Sequence, residues 1–189
     1  MKDFTEPYEK IRKYMLYSNI CNEESFHVLC AAMDILHDTK DAMSSYLALK
    51  SSEDKYTGIE YLYVYGILNI LEIQQDALRI AYEILTHDKL NFNSIPELKK
   101  IRIMRNDIVG HSLKNKSGDL KGFGIVRHSL SIEYFEVLDF SLFGCGSLKY
   151  SVKVKDEIIV QLNKVSEILS QIIIFLESNK DIKEMIRLD

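Results

Sequence analysis

The chain has 189 residues, a hydrophobic fraction of 47% and a formal net charge of −4, which together fit one domain with its own core. Its first residues lack the apolar run of a secretion signal, and its longest apolar stretch, residues 61–73, is interrupted by polar side chains and too short to span a bilayer. Three scattered cysteines argue against a disulfide framework or a zinc knuckle. We therefore expect a single soluble, cytoplasmic domain over residues 1–189, with no membrane partner.

Positive charge is concentrated in one segment. Residues 99–127 contain eight basic and two acidic side chains, a net charge of +6, so the rest of the chain carries −10. A basic surface on an acidic protein is what a phosphate-contacting site requires. The alternative is a solvated, lysine-rich loop after a helix.

Helical periodicity predicts three helices in the first half of the chain. A short helix covers residues 8–17, and a longer one starts after Asn22, a favourable N-cap. A third covers residues 59–85 and has a polar stripe at helical spacing, which leaves Gln74 and Gln75 on the buried side. Because a buried amide needs partners, we expect one of them to brace a neighbouring helix. The stripe consists of Tyr65, Asn69, Glu72, Asp76, Arg79 and Glu83.

A fourth helix starts within Ser94-Ile95-Pro96-Glu97, which combines a capping box with a proline in the first turn. Its apolar positions recur every three or four residues up to Ile108. Gly110 is suited to a left-handed cap at the C-terminal end. Residues 105–111, Arg-Asn-Asp-Ile-Val-Gly-His, therefore form the last turns of this helix and its exit.

After residue 122 the period of the sequence changes from helical to alternating. Residues 124–130, 132–140 and 148–154 are rich in β-branched and aromatic side chains and predict an antiparallel meander of three strands. The helical period returns at Lys155 and continues to about Ile186. The predicted fold is mainly α, a bundle of four or five helices with a small sheet, at about 123–154, inserted before the C-terminal helix.

Residues 105–111 are the segment most suited to chemistry. Arg105 and His111 do not share a face of a regular helix, because six residues turn about 600°. Asp107 and His111 are four residues apart and do share a face, so the carboxylate can orient the imidazole. The planar guanidinium of Arg105 is suited to binding a phosphate.

The pair Arg105 and His111, separated by five residues with Asn106 following the arginine, resembles the R-x(4–6)-H motif of the HEPN superfamily. That resemblance implies a helical bundle and, in many members, a metal-independent ribonuclease without a cofactor. In the branch paired with nucleotidyltransferase antitoxins, the motif has four intervening residues and a tyrosine two positions after the histidine. Here Leu113 stands at that position, so the resemblance does not extend to that branch.

The resemblance implies a set of site residues and a mechanism. Arg105 and His111 would be catalytic, His111 taking the proton of an RNA 2′-hydroxyl while Arg105 stabilises the phosphorane. A homodimer would bring two copies of the motif together, and an antitoxin or other partner protein and a toxin or defence role are expected by resemblance. We expect Asn106, Asp107 and Gly110 to support the site, and RNA to be bound by Lys99, Arg102, Lys114 and Lys116.

Two other interpretations stay open. His111 continues the apolar stripe of its helix, and the first alternative is therefore a non-catalytic dimerisation or adaptor module in which Arg105 makes an ordinary ion pair. A stripe of metal-capable side chains on the second helix has no matching ligands on a facing helix, so we expect a solvated face and no metal. That stripe consists of Asp34, His37, Asp38 and Asp41.

Overall fold

The computed structural model describes residues 4–17, 21–50, 58–110, 122–140 and 146–178. Within these ranges the chain forms five α-helices and one antiparallel sheet of three strands, in the order β1-β2-β3. The sheet lies between the fourth and fifth helices, which confirms the prediction of a mainly helical fold with a small inserted sheet. The elements are α1 (Thr5–Tyr17), α2 (Glu23–Ala48), α3 (Ile59–Thr86), α4 (Pro96–Ile108), β1 (Phe123–Ile125), β2 (Tyr134–Asp139), β3 (Ser147–Lys153) and α5 (Val154–Ser178).

The starts of the first two helices follow from local chemistry. The side-chain oxygen of Asn22 accepts a hydrogen bond of 2.8 Å from the backbone N–H of Ser25, so Asn22 is the predicted N-cap of α2. Helix α1 starts at Thr5, three residues earlier than predicted. Pro7 therefore lies in its first turn, where the missing N–H of proline breaks no helical hydrogen bond.

The core is formed by α2, α3 and α5, with α1 and α4 packed at its sides. Most of their buried positions are apolar and recur every three or four residues, as in Leu68 and Leu71 of α3 and Leu162 and Val165 of α5. Among the described helices, α5 alone is long and apolar enough to cross a membrane by length and composition. It contacts each of α1, α2, α3 and α4, which is the packing of a central core helix.

A network of buried amides crosses the core. Gln74 and Gln75 are fully buried, and Gln75 Nε2 donates to Gln161 Oε1 at 2.8 Å and to the carbonyl of Leu98 at 3.4 Å. Gln161 donates to Gln74 Oε1 at 3.1 Å, and Gln74 donates to Thr39 at 3.2 Å. The prediction that one of the two glutamines braces a neighbouring helix is confirmed, because the network joins α2, α3, α4 and α5.

The start of α4 lies where predicted, but the predicted capping box does not form. Ser94 belongs to a short 3-10 turn, Phe92–Ser94, and its hydroxyl donates to the carbonyl of Asn91 at 2.6 Å. The N-cap of α4 is Ile95, whose side chain has no oxygen to offer, and Pro96 is the first helical residue. The hydroxyl of Ser94 thus bonds within the preceding turn and does not cap α4.

The prediction of a left-handed Gly110 at the end of α4 is wrong. The helix ends at Ile108, Val109 keeps right-handed angles (φ −88°, ψ −36°), and Gly110 does not adopt a positive φ. The N–H groups of Val109 and Gly110 both donate to the carbonyl of Arg105, at 2.7 and 3.3 Å. A Cβ at Gly110 would lie 2.7 Å from the carbonyl oxygen of Asn106, so glycine is needed there for close approach.

The sheet differs from its prediction at the first strand. β1 is only three residues long because the chain turns into a 3-10 segment, Arg127–Ser129, where the side chain of Ser129 accepts the N–H of Glu136 at 2.8 Å. β2 follows the predicted alternation, but β3 follows it only from Tyr150 onward, because Leu148 lies on the outer face and not on the face of Tyr150. Between them Val137 pairs with Tyr150 and Leu138 pairs with Leu148, so Lys149 is the extra residue of a β-bulge.

Candidate functional site

Arg105 lies in the last turn of α4, against the polar stripe of α3. Its Nε is 2.6 Å from Glu72 Oε2, and its Nε and Nη2 donate to Asn69 Oδ1 at 3.3 and 3.2 Å. Its Nη1 donates to Asn106 Oδ1 at 3.2 Å. A guanidinium has five N–H groups, and these contacts use one on each nitrogen, so two N–H groups have no partner within the described ranges. The side chain is 28% exposed.

The contacts of Arg105 belong to a longer series, which we call the arginine ladder: Arg79, Arg102 and Arg105 alternate with Asp76 and Glu72. Arg102 is 3.4 Å from Glu72 and 3.0 Å from Asp76, and Arg79 is 3.4 Å from Asp76. Three cations against two carboxylates leave the ladder with one positive charge in excess. The sequence had shown the α3 half of this series only as a polar stripe, without indicating which helix it faces.

A cleft of about 320 Å³ opens beside the ladder, between the 3-10 turn and α4. We call it the basic cleft, and its polar lining consists of Arg79, Lys99, Arg102, Asn91, Asn93 and Asn106. Lys99 is exposed, and its ammonium makes no hydrogen bond or ion pair within the described part of the chain. The guanidinium carbon of Arg102 lies over the ring of Phe92, 5.7 Å from its centroid, a cation–π contact at the cleft wall.

Two of the four predicted RNA-binding residues, Lys99 and Arg102, therefore line one cleft together with Asn106. The other two, Lys114 and Lys116, lie outside the described residues, as does His111. The sequence analysis missed Arg79, Asn91 and Asn93. Arg79 is a member of the polar stripe, and the two asparagines shape the 3-10 turn, since Asn91 Oδ1 accepts the N–H of Asn93 at 2.9 Å.

Asp107 is buried at 6% exposure and connects α4 to the sheet. Its Oδ2 accepts hydrogen bonds from Lys149 Nζ at 2.7 Å and from the hydroxyl of Tyr150 at 3.2 Å. The bulge makes this possible, because it turns two consecutive residues of β3 toward the same carboxylate. Burial, with the nearby Asp107 carboxylate as a smaller cause, raises the pKa of the Tyr150 hydroxyl. Whether Asp107 also orients His111 stays a prediction.

The metal-capable stripe of α2 lies on an exposed surface. Asp34 forms an ion pair of 2.8 Å with Arg12 of α1, and His37 lies 3.7 Å from Asp41. Over residues 4–17, 21–50, 58–110, 122–140 and 146–178, no group of three or more histidine, cysteine, aspartate or glutamate side chains is arranged to hold a metal ion.

No family model, curated protein or solved structure matches this chain. The side chains of α3 and α4 are therefore the basis on which a function is proposed.

Proposed function

We propose that the chain is a metal-independent ribonuclease of the HEPN type, which binds single-stranded RNA along the basic cleft and cleaves it with Arg105 and His111. The observation that carries the proposal is the set of contacts made by the Arg105 guanidinium. This guanidinium is held by Glu72, Asn69 and Asn106. Within the described residues, two of its N–H groups remain for an anionic oxygen. Such a preorganised fork costs little reorganisation when a phosphate binds.

Charge in the cleft favours an anionic ligand over a purely structural role for the arginines. Asp76 and Glu72 neutralise much of the ladder, and an ion-pair ladder alone would explain how α4 is held on α3. It would not explain Lys99, which has no ion-pair partner among the described residues and adds a positive charge beside three asparagines. A phosphate backbone supplies acceptors for these ammonium and amide groups.

The proposed reaction needs only groups of the protein and the RNA. The 2′-hydroxyl oxygen attacks the adjacent phosphorus as His111 takes its proton, the bond from phosphorus to the 5′-oxygen breaks, and the leaving 5′-oxygen takes a proton from water. Arg105 stabilises the charge that develops on the non-bridging oxygens. The products carry a 2′,3′-cyclic phosphate and a 5′-hydroxyl, and DNA is not cleaved because it lacks the nucleophile.

We further propose that two copies associate through the outer face of α3, which brings two copies of Arg105 near each other. Ile59, Leu62 and Ile73 are exposed on this face to 48%, 70% and 48%. Gly66 lies among them, and a Cβ there would meet no atom within 4 Å, so another helix can approach closely. Asn69, which holds Arg105, is less than one turn away from Gly66.

The test is cleavage of a fluorescently labelled single-stranded RNA by the wild type and by Arg105→Ala, His111→Ala and Lys13→Ala, compared at equal folded fraction and equal dimer content. Lys13 is an exposed cation on α1, so its variant controls for the loss of one charge. We expect a loss of about 10² or more in rate for the Arg105 and His111 variants, and none for the control. EDTA should leave the rate unchanged, and the matching DNA should survive.

A wild type that is folded and dimeric but neither binds nor cleaves RNA would overturn the proposal and favour the dimerisation or adaptor module. Cleavage that survives both Arg105→Ala and His111→Ala would place the chemistry elsewhere. Sedimentation of the wild type at several concentrations tests the association separately.

A further inference from the structure

The basic cleft contains side chains that a phosphate does not need. Besides its cations it is lined by Leu90, Phe92 and Ile103, and Ile103 is 48% exposed. A phosphate is bound by cations and gains nothing from an aliphatic wall, whereas the face of a base buries apolar area against one. The cleft therefore has a part that suits a base as well as a part that suits a phosphate.

These parts follow one another along α4. Lys99, Ile103 and Asn106 are spaced by four and three residues, so they lie on one face of the helix. The helix rises about 10 Å from the first to the last, with a cation, an aliphatic side chain and an amide in that order. The carboxylates that pair with Arg79 and Arg102 are not among the described residues that line the cleft. A nucleotide presents matching groups in the same order, from its phosphate over the face of its base to the polar edge of the base.

Two asparagines of the cleft have their amide oxygens already occupied. Asn91 Oδ1 accepts the backbone N–H of Asn93 at 2.9 Å, and Asn106 Oδ1 accepts from Arg105 Nη1 at 3.2 Å. Both partners are donors, so each contact requires the amide oxygen and leaves the Nδ2 group without a partner among the described residues. The side chain of Asn93 can donate and accept, and so adds no preference.

This state of the two amides decides which purine they can bind. Asparagine recognises adenine with its oxygen and its nitrogen together, because the N6 amino group of adenine donates while N7 accepts. With their oxygens occupied, Asn91 and Asn106 can only donate. Guanine presents two adjacent acceptors, O6 and N7, on the same edge, so the two Nδ2 groups suit guanine and not adenine.

We infer that the basic cleft binds one base of the RNA and selects guanine over adenine, an inference that rests on the proposed function. Asn91 and Asn106 donate to O6 and N7, the face of the base lies on Ile103, and Lys99 contacts a phosphate of the strand. Because Asn106 also binds Arg105, the guanine lies next to the phosphate that Arg105 contacts. Cleavage is therefore expected beside a guanosine.

The probes are fluorescently labelled 2′-O-methyl octamers of uridine in which one central base is guanine, adenine or 7-deazaguanine. The methyl group removes the hydroxyl needed for cleavage, so binding is measured without reaction. We expect the wild type to bind the guanine octamer about tenfold more tightly than the adenine octamer, because adenine has an amino donor where guanine has O6. The 7-deazaguanine octamer, in which C–H replaces N7, should lose part of that preference.

The variants Asn91→Asp and Asn106→Asp each keep the oxygen that accepts within the protein and replace the amide donor by an acceptor. The added negative charge weakens binding of every octamer, so the measured quantity is the ratio of the affinities for the guanine and adenine octamers. We expect this ratio to fall toward one in both variants. Lys99→Ala is the matched control, because it should weaken binding of both octamers and leave the ratio unchanged.

Equal affinity of the wild type for the guanine and adenine octamers, or a ratio that survives both asparagine variants, would overturn the selection of guanine while leaving RNA binding intact. Equal affinity for the guanine and 7-deazaguanine octamers would have the same meaning, because N7 is one of the two acceptors. Absence of binding to every octamer by the folded wild type would overturn both this selection and the proposed function. Circular dichroism and the thermal midpoint of each variant show that loss of binding is not loss of the fold.

Discussion

Lys99 and Arg102 lie in the same cleft but differ in what they can offer a ligand. Arg102 makes two ion pairs and stacks on Phe92, so part of its charge is used within the protein. Lys99 is exposed and makes no ion pair in the described part of the chain. Removing the side chain of Lys99 should therefore affect binding without affecting the fold, whereas removing that of Arg102 should affect both binding and the fold.

For Lys99→Ala we expect weaker binding to single-stranded RNA and an unchanged free energy of unfolding. Loss of one phosphate contact should reduce the slope of log K against log salt by about 0.7. Titrations at several salt concentrations measure that slope, and Lys13→Ala on α1 is the matched loss of charge. A slope identical to that of the wild type would show that Lys99 does not contact the phosphate backbone.

At the scale of the elements, two glycines differ in the space available for a side chain, one within a helix and one after a helix. Gly66 lies in the middle of α3, where a Cβ would meet nothing. Gly110 follows α4, where a Cβ would lie 2.7 Å from a backbone oxygen of Asn106. The same substitution should therefore act in opposite directions at the two positions.

Gly110→Ala should lower the free energy of unfolding by about 1 to 3 kcal/mol, because the overlap forces the end of α4 to move. Gly66→Ala should raise it by about 0.5 to 1 kcal/mol, because alanine loses less backbone entropy in a helix. Urea unfolding at a protein concentration low enough to suppress association measures both. A neutral Gly110→Ala would mean that the turn after α4 has room to relax.

The sequence predicted those elements whose signals are local and periodic. The cap at Asn22, the length of α3 and the alternation of β2 each depend on neighbours within a few residues. The capping box at Ser94 and the left-handed Gly110 failed because each residue had a competing partner, Asn91 for the serine and the carbonyl of Arg105 for the glycine. Local rules do not rank two partners that are both available.

Only the α4 half of the candidate site could be predicted from the sequence. The basic residues of α4 form one continuous segment, so Lys99, Arg102 and Arg105 were visible together. The acceptors of Arg105, which are Asn69 and Glu72, lie more than 30 residues earlier, on a helix whose rotation about its axis is set by the core. The periodicity of the sequence predicted the polar stripe on α3. It could not predict that the stripe pairs with α4, because that pairing depends on tertiary structure.

At the scale of the whole molecule, the buried Tyr46 and the partly buried Tyr150 contribute to the response of stability to alkaline pH. The hydroxyl of Tyr46 on α2 donates to the carbonyl of Ile132 at 2.9 Å, and that of Tyr150 on β3 donates to Asp107. Burial raises the pKa of both hydroxyls above its ordinary value. Both tyrosines join a helix to the sheet region, so their ionisation would loosen contacts between distant parts of the chain.

We expect stability to be independent of these groups below pH 10 and to fall above it, because the unfolded chain releases the two protons first and therefore binds fewer protons. Each tyrosine should contribute a slope of about 1.4 kcal/mol per pH unit in that range. Urea midpoints between pH 8 and 11 for the wild type, Tyr46→Phe and Tyr150→Phe measure the slopes. If the slope of stability against pH were as steep in each variant as in the wild type, the alkaline transition would belong to other groups.

The bulge at Lys149 has a consequence for changes in chain length. Deleting one residue from a strand normally shifts the alternation and turns every following side chain to the opposite face. Here the pairs Val137–Tyr150 and Leu138–Leu148 already skip Lys149, so its deletion would leave an uninterrupted ladder with Leu148 still outside and Tyr150 still inside. We expect the sheet to keep its register after this deletion, while the carboxylate of Asp107 and the ring of Phe123 lose the ammonium of Lys149. Lys149 is thus an insertion into an otherwise regular hairpin, and together with Tyr150 this inserted residue ties the hairpin to α4.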